Sequence, residues 1–284
     1  MLLFSFLPFA SLQCGGRTDN SAQVTSIATA LGRVGVAESG SGGVPIVFLH
    51  GVGSDKSVWA PQLAHFGRSR RAIAFDYPGY GDSASAPDGT SRDDFAEAIF
   101  AGMDSLGVEQ AHVCGLSLGG VIAIAMHAAA PDRCKSLILA DSFAVHPDGP
   151  GIYERSLAGS ANIRAMAEAR VDFLLAAGAL EDVRREVVET MSKIDPAAYR
   201  IGAEAVWLAN QTDRVAAIDV PTLVIVGEED RATPPPLSKE LAALIRGARL
   251  ETIPGAGHIA NLERPAEFDR IVEEFIRAVE SDRQ

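Results

Sequence analysis

Cysteine is nearly absent: Cys14, Cys114 and Cys134 are the only three in 284 residues, and they fall at no CxxC or Cys/His ligand spacing. That excludes a disulfide framework and leaves Cys114 and Cys134 as small buried hydrophobes. Lys/Arg-rich runs are missing too. With 37 acidic against 25 basic residues the formal charge is −12 and the pI near 4.9, the wrong field for a phosphate backbone or an anionic membrane surface. Neither a nucleic-acid partner nor stable membrane association is expected. No apolar run reaches the roughly 20 residues that a bilayer span needs. The apolar start, MLLFSFLPFASLQCGG, carries Pro8 and has no Lys or Arg before Arg17, and Ser11-Leu12-Gln13 before Cys14 makes a poor lipoprotein signal. Residues 1–21 are therefore read as a disordered N-terminal extension and the chain as cytoplasmic, with export the alternative that the apolar start leaves open. No HxxxH spacing or carboxylate cluster occurs, so no metal or other cofactor is expected.

What is present, 47% hydrophobic and 22% charged residues, suffices for one large domain or one domain carrying an insertion. From Ala22 onward, short β-rich apolar runs alternate with longer segments of helical period, the pattern of a parallel sheet with covering helices. Val24 to Ile27 and Gly32 to Glu38 predict an opening hairpin. Pro45 to Leu49 is nearly continuous apolar sequence, as in a strand buried on both faces. Arg71 to Asp76, Ala111 to Gly115, Ser136 to Ala140, Thr222 to Gly227 and Arg249 to Ile253 follow the same grammar. Helices are expected near Ser57 to His65, Ser91 to Leu106, Leu118 to Ala130, Pro236 to Arg246 and Ala266 to Val279, one crossover per strand. The rhythm breaks between residues 143 and 218, where helical period continues without strands, for example over Ile163 to Ala177 and Glu181 to Lys193. This predicts a core of residues 22–142 and 219–284 and a helical lid of 143–218 over the strand ends.

Gly115-Leu116-Ser117-Leu118-Gly119 sits between a predicted strand and a predicted helix, the context of a nucleophile elbow. A serine on so tight a turn has a strained backbone, and glycines two residues to either side let strand and helix approach. After Pro45 to Leu49 comes His50-Gly51-Val52-Gly53, placed to offer backbone N–H groups. The amides of Val52 and Leu118 are the candidate oxyanion hole. His50 itself reads as a loop brace rather than a base. The C-terminal third supplies an acid, Asp230, and a base, His258, each in a loop after a strand and 28 residues apart, which places them at the same sheet edge as Ser117. Glu228, Glu229 and Asp141 are competing acids. His65, His112, His127 and His146 read as structural or solvated. These roles predict that His258 takes the Ser117 proton, Asp230 orients the imidazole, and an acyl-enzyme forms and is hydrolysed.

Five motifs now stand in order: HGVGSDKSVW (50–59), FDYPGYGDS (75–83), CGLSLGG (114–120), GEEDRATPP (227–235) and PGAGHIANLERP (254–265). Together they resemble the α/β-hydrolase superfamily across nearly the whole chain, and among its branches the 3-oxoadipate enol-lactonase-like hydrolases and carboxylesterases. The resemblance implies an α/β-hydrolase fold, a mostly parallel doubly wound sheet with a helical lid insertion. It also implies a serine hydrolase acting on a small-molecule ester or lactone as a monomer or small homo-oligomer. Serine at 117 separates the chain from haloalkane dehalogenases and epoxide hydrolases, which place aspartate there. In the lid, IGAEAVWLAN (201–210) departs from the lactonase pattern. Trp59, Phe143, Trp207 and Ile259 are the expected pocket residues. A carbon-carbon bond hydrolase of a ring-cleavage product uses the same triad and would want a lid arginine facing Ser117, with Arg155, Arg164 and Arg200 as candidates. A ligand-binding member without turnover is the remaining alternative.

Overall fold

The computed structural model describes residues 22–281; the extension expected over 1–21, Cys14 included, lies outside the described residues. Strands β1 (Gln23–Thr29) and β2 (Gly32–Ser39) form the predicted hairpin, pairing Thr29 with Gly32 at its closed end. Then follow β3 (Ile46–Leu49), a 3-10 turn over Lys56–Trp59, α1 (Ala60–Phe66), β4 (Ala72–Phe75), α2 (Arg92–Ser105), β5 (Ala111–Leu116), α3 (Leu118–Ala129) and β6 (Cys134–Ala140). Five helices come next: α4 (Gly149–Gly159), α5 (Ile163–Leu174), α6 (Glu181–Ser192), α7 (Pro196–Trp207) and α8 (Thr212–Ala216). The chain ends with β7 (Thr222–Gly227), α9 (Pro235–Leu244), β8 (Arg249–Ile253), α10 (Ala260–Glu263) and α11 (Pro265–Ser281).

The sheet runs β1-β2-β4-β3-β5-β6-β7-β8. Crossover helices serve only the strands from β3 onward, because β2 joins β4 antiparallel. Alternation within each strand feeds two cores. Val47 and Leu49 pack toward α2 and α3 with Phe95, Ile99 and Val121, whereas Ile46 and Phe48 pack toward α1 and α11 with Leu63, Phe66, Ile271 and Phe275. Full burial of each such side chain contributes about 1.5–3 kcal/mol, and burial on both faces is why these strands read as continuous apolar runs. In α11 the buried positions Phe268, Ile271, Val272, Phe275, Ile276 and Val279 recur at helical spacing.

Two boundaries differ from expectation for physical reasons. Pro61 lacks an N–H and is tolerated only in a helix's first turn, so a 3-10 turn carries the chain to Trp59 and α1 starts afresh at Ala60. Helix α5 stops at Leu174, short of Ala177, because the chain beyond it bonds elsewhere: the Leu174 carbonyl accepts from the His258 N–H at 2.7 Å, and the Ala176 N–H donates to Glu263 at 2.7 Å. The segment between β6 and β7 is helical, apart from a single bridge pairing Val145 with Asn210 that ties its two ends together. Among the described residues no helix is long and apolar enough to cross a membrane.

Candidate active site

Ser117 stands between the end of β5 and the start of α3 at φ 55°, ψ −114°. Among the described residues only Asp141 is another non-glycine with positive φ, a strain of order 1–3 kcal/mol that surrounding contacts must hold. They do: the Ser117 N–H donates to Ala140, and its carbonyl accepts from the Gly120 N–H and the Ser142 hydroxyl, each at 2.9–3.0 Å. The flanking glycines are obligatory on distance. A Cβ at Gly115 would lie 2.1 Å from the Gly119 carbonyl, and one at Gly119 would lie 2.1 Å from that of Leu49. The Ser117 hydroxyl is buried and makes no hydrogen bond.

His258 Nδ1 lies 2.9 Å from Asp230 Oδ2, both side chains buried. Asp230 also accepts from the Ala232 and Thr233 N–H groups at 2.8 and 3.0 Å and from the Thr233 hydroxyl at 2.7 Å. Burial pushes its carboxyl upward, but the facing imidazole and these donors more than offset that and hold it below the usual value. A neutral imidazole that donates Nδ1–H to a carboxylate keeps its lone pair on Nε2. The competing acids do not reach the histidine. Asp141, fully buried, accepts the Gly227 N–H at 2.8 Å, and burial with the nearby Asp230 charge pushes it well above the carboxylate range. Glu228 accepts from Gly255 and Glu229 from Ala177, each at 3.2 Å.

Ser117 and His258 line one cavity of about 40 Å³, with Gly51, Val52, Val58 and Ile259 from the core and Leu174, Met191, Arg170 and Trp207 from the helices between β6 and β7. Neither the Val52 nor the Leu118 N–H has a hydrogen-bond partner among the described residues. The loop bearing Val52 is braced from below. Asp76 accepts from the Lys56 N–H at 2.8 Å, from Lys56 Nζ at 2.6 Å and from the Asp82 N–H at 2.9 Å. His50 is fully buried, with Nδ1 2.9 Å from the Gly51 carbonyl and its own carbonyl accepting from Tyr77 at 3.0 Å; burial lowers its pKa. It does not line the cavity.

Two expected pocket residues are elsewhere. Trp59 is fully buried and stacks on Phe48 at 4.8 Å in the α1–α11 core, because the 3-10 turn aims Val58 at the cavity and its neighbour away. Phe143 does not line the cavity either; it stacks behind Trp207 at 5.8 Å and 14°. Of the three candidate arginines between β6 and β7, Arg155 pairs with Asp148, Arg164 with Glu168 and Glu189, and Arg200 donates to Ser160. The arginine at the cavity is Arg170, donating to the Tyr199 hydroxyl at 2.8 Å. Sequence reasoning also missed Glu263, which accepts the N–H groups of Ala176 and Gly257 at 2.7 and 2.9 Å and so fastens the His258 loop to the end of α5. Its one signal was a carboxylate five residues after the histidine. The remaining histidines contact carboxylates or hydroxyls away from this cavity: His65 with Glu273, His112 with Ser136 and His127 with Asp219, while His146 packs its edge on Trp207. Among the described residues no three His, Cys, Asp or Glu side chains are grouped to hold a metal ion. Cys114 and Cys134 are buried free thiols, Cys134 pushed up to about 12 by burial.

The model of the Alpha/beta hydrolase family matches residues 46–271. The chain belongs to the alpha/beta hydrolase family. It is similar to 3-oxoadipate enol-lactonase 1 of Acinetobacter baylyi, 26% identical over 239 residues that span 83% of this chain and 89% of that protein. It is also similar to a 2-hydroxymuconate semialdehyde hydrolase of Pseudomonas putida, 30% identical over 250 residues, 82% of this chain and 87% of the relative. Among solved structures, the enol-lactonase from Burkholderia xenovorans matches with a TM-score of 0.84 at 27% identity, covering 89% of this alpha/beta hydrolase and 100% of that chain.

Proposed function

We propose that this alpha/beta hydrolase cleaves a small carboxylic ester or lactone through an acyl-enzyme on Ser117. The observation that carries the reading is an unbonded, buried serine hydroxyl sharing a small cavity with an imidazole already oriented by a carboxylate. His258 removes the Ser117 proton as Oγ attacks the carbonyl carbon, and Asp230 stabilises the imidazolium that results. The carbonyl oxygen becomes an oxyanion facing the Val52 and Leu118 N–H groups, whose lack of other partners leaves them available; one such donor is worth roughly 2.7–4 kcal/mol. His258 returns its proton to the departing alkoxide, which in a lactone stays on the same molecule. Water then attacks the acyl group with His258 as base, releasing the acid and restoring Ser117. Residues 143–218 act as a cap, with Leu174, Met191 and Trp207 keeping bulk water from the acyl carbon.

A carbon-carbon bond hydrolase is the second reading, and Arg170 at the cavity favours it because an acidic diketone calls for a cation there. Hydrolysis of p-nitrophenyl esters and simple lactones, an enol-lactone included, by wild type and Ser117→Ala in parallel tests both. Ser117-dependent turnover supports the ester or lactone reading. A folded wild type that leaves all of these intact but cleaves a ring-cleavage diketone supports the second.

A further inference from the structure

The Ser117 cavity, at about 40 Å³, holds little more than water and is far below the roughly 300–1,000 Å³ of ordinary ligand pockets. Against it lies a groove of about 750 Å³ between α4, α5 and the loop after Asp230. Trp207 and Arg170 line both spaces, so they are the wall between them. On the groove side of α5, Ala165 and Ala169, one turn apart, leave room opposite Ala232 and Pro234, and Met166 and Phe173 add apolar surface. Its charged neighbours are already engaged, Arg155 with Asp148 and Arg231 with the Leu175 carbonyl at 2.9 Å. An apolar chain laid there strips no charge of its partner.

Trp207 is held by packing alone. It stacks on Phe143 and meets the edge of His146 at 5.5 Å, while its indole N–H, buried, has no hydrogen-bond partner. Turning the ring aside therefore breaks no hydrogen bond, and an unpaired buried donor is unfavourable where it stands. Arg170, the other half of the wall, is tethered by a single hydrogen bond, to the Tyr199 hydroxyl, and makes no ion pair among the described residues.

Resting on the function proposed above, we infer that the groove receives a flexible apolar arm of the ester and that Trp207 is the movable partition joining it to Ser117. Trp207 and the groove then set chain-length specificity. Each methylene buried in the groove raises kcat/KM about fourfold until the groove is filled. The same chemistry could come from the acyl or the alcohol side of the ester, so two substrate series are needed: p-nitrophenyl acetate, butyrate and octanoate, and ethyl, butyl and octyl acetates.

The full chain is assayed as wild type, Ala169→Trp, Trp207→Ala and Trp207→Phe, the last retaining a stacked ring should the alanine variant not fold. Ala169 is exposed at the groove, so its replacement fills that space without disturbing the core. In one of the two series Ala169→Trp should lower the long-to-short ratio of kcat/KM at least tenfold, and the Trp207 variants should raise it. Ratios within twofold of wild type in both series, with Ser117-dependent turnover intact, would overturn the inference. No Ser117-dependent turnover of any ester by folded wild type would instead refute the ester reading and this inference with it.

Discussion

Gly119→Ala isolates a single close approach. Gly119 has an ordinary negative φ, so alanine is conformationally allowed, but its Cβ would lie 2.1 Å from the Leu49 carbonyl oxygen and 2.7 Å from the carbonyl carbon. Ordinary contact needs more than 3 Å, so β3 and the start of α3 must separate by about 1 Å. Overpacking of this kind costs about 1–3 kcal/mol, and the obstacle here is the main chain of a central strand, which places the effect at the upper end. Alanine's better helix propensity returns at most about 1 kcal/mol, leaving a net loss of about 2 kcal/mol. The same displacement moves Ser117 and the Leu118 N–H, and misplacement by about 1 Å lowers turnover about 10²-fold. Urea unfolding followed by tryptophan fluorescence and kcat on p-nitrophenyl acetate measure the two effects. Gly178→Ala, where an added Cβ meets open space, is the control and should change neither by more than about 1 kcal/mol. An unchanged unfolding midpoint and a kcat within twofold of wild type for Gly119→Ala would refute the reasoning.

Asp230→Asn should lower kcat by up to about 10⁴, because the imidazole loses the partner that fixes its tautomer; a larger loss in Asp141→Asn would move the orienting acid to position 141. His112 is fully buried against Ser136 and its pKa is lowered to about 4, chiefly by burial. The unfolded imidazole protonates near pH 6.5 while the folded one stays neutral, so its contribution is whole above pH 6.5 and falls away toward pH 4, a loss of about 3 kcal/mol. His112→Gln should flatten that part of a pH series of urea midpoints; an equally steep decline would show that other groups carry it.

Strand runs, the sharp turn at Ser117 and the order of the loops were legible because each rests on local rules: a period, a glycine spacing, a strand followed by a turn. Side-chain direction was not. Trp59 follows the candidate oxyanion loop in sequence, yet Pro61 and the 3-10 turn before it rotate the indole onto Phe48. Phe143 stands at the start of the insertion, but Trp207 comes between it and the cavity. The arginine at the cavity is Arg170 because of how α5 lies over Ser117, and helical periodicity marks the apolar stripe of such a helix without saying what it covers. The Glu263 carboxylate and the Leu174 carbonyl fasten the histidine loop by accepting main-chain N–H groups, that of Ala176 lying 87 residues from Glu263, a pairing no local pattern encodes.

Labelling by a fluorophosphonate probe tests the central claim most directly, since the probe bonds covalently to a serine oxygen activated by a neighbouring base. The account predicts one adduct per chain by intact mass, located on Ser117 by peptide mapping, absent in Ser117→Ala and strongly slowed in His258→Ala. A folded wild type that takes no label, or takes it elsewhere with Ser117 unmodified, would contradict it.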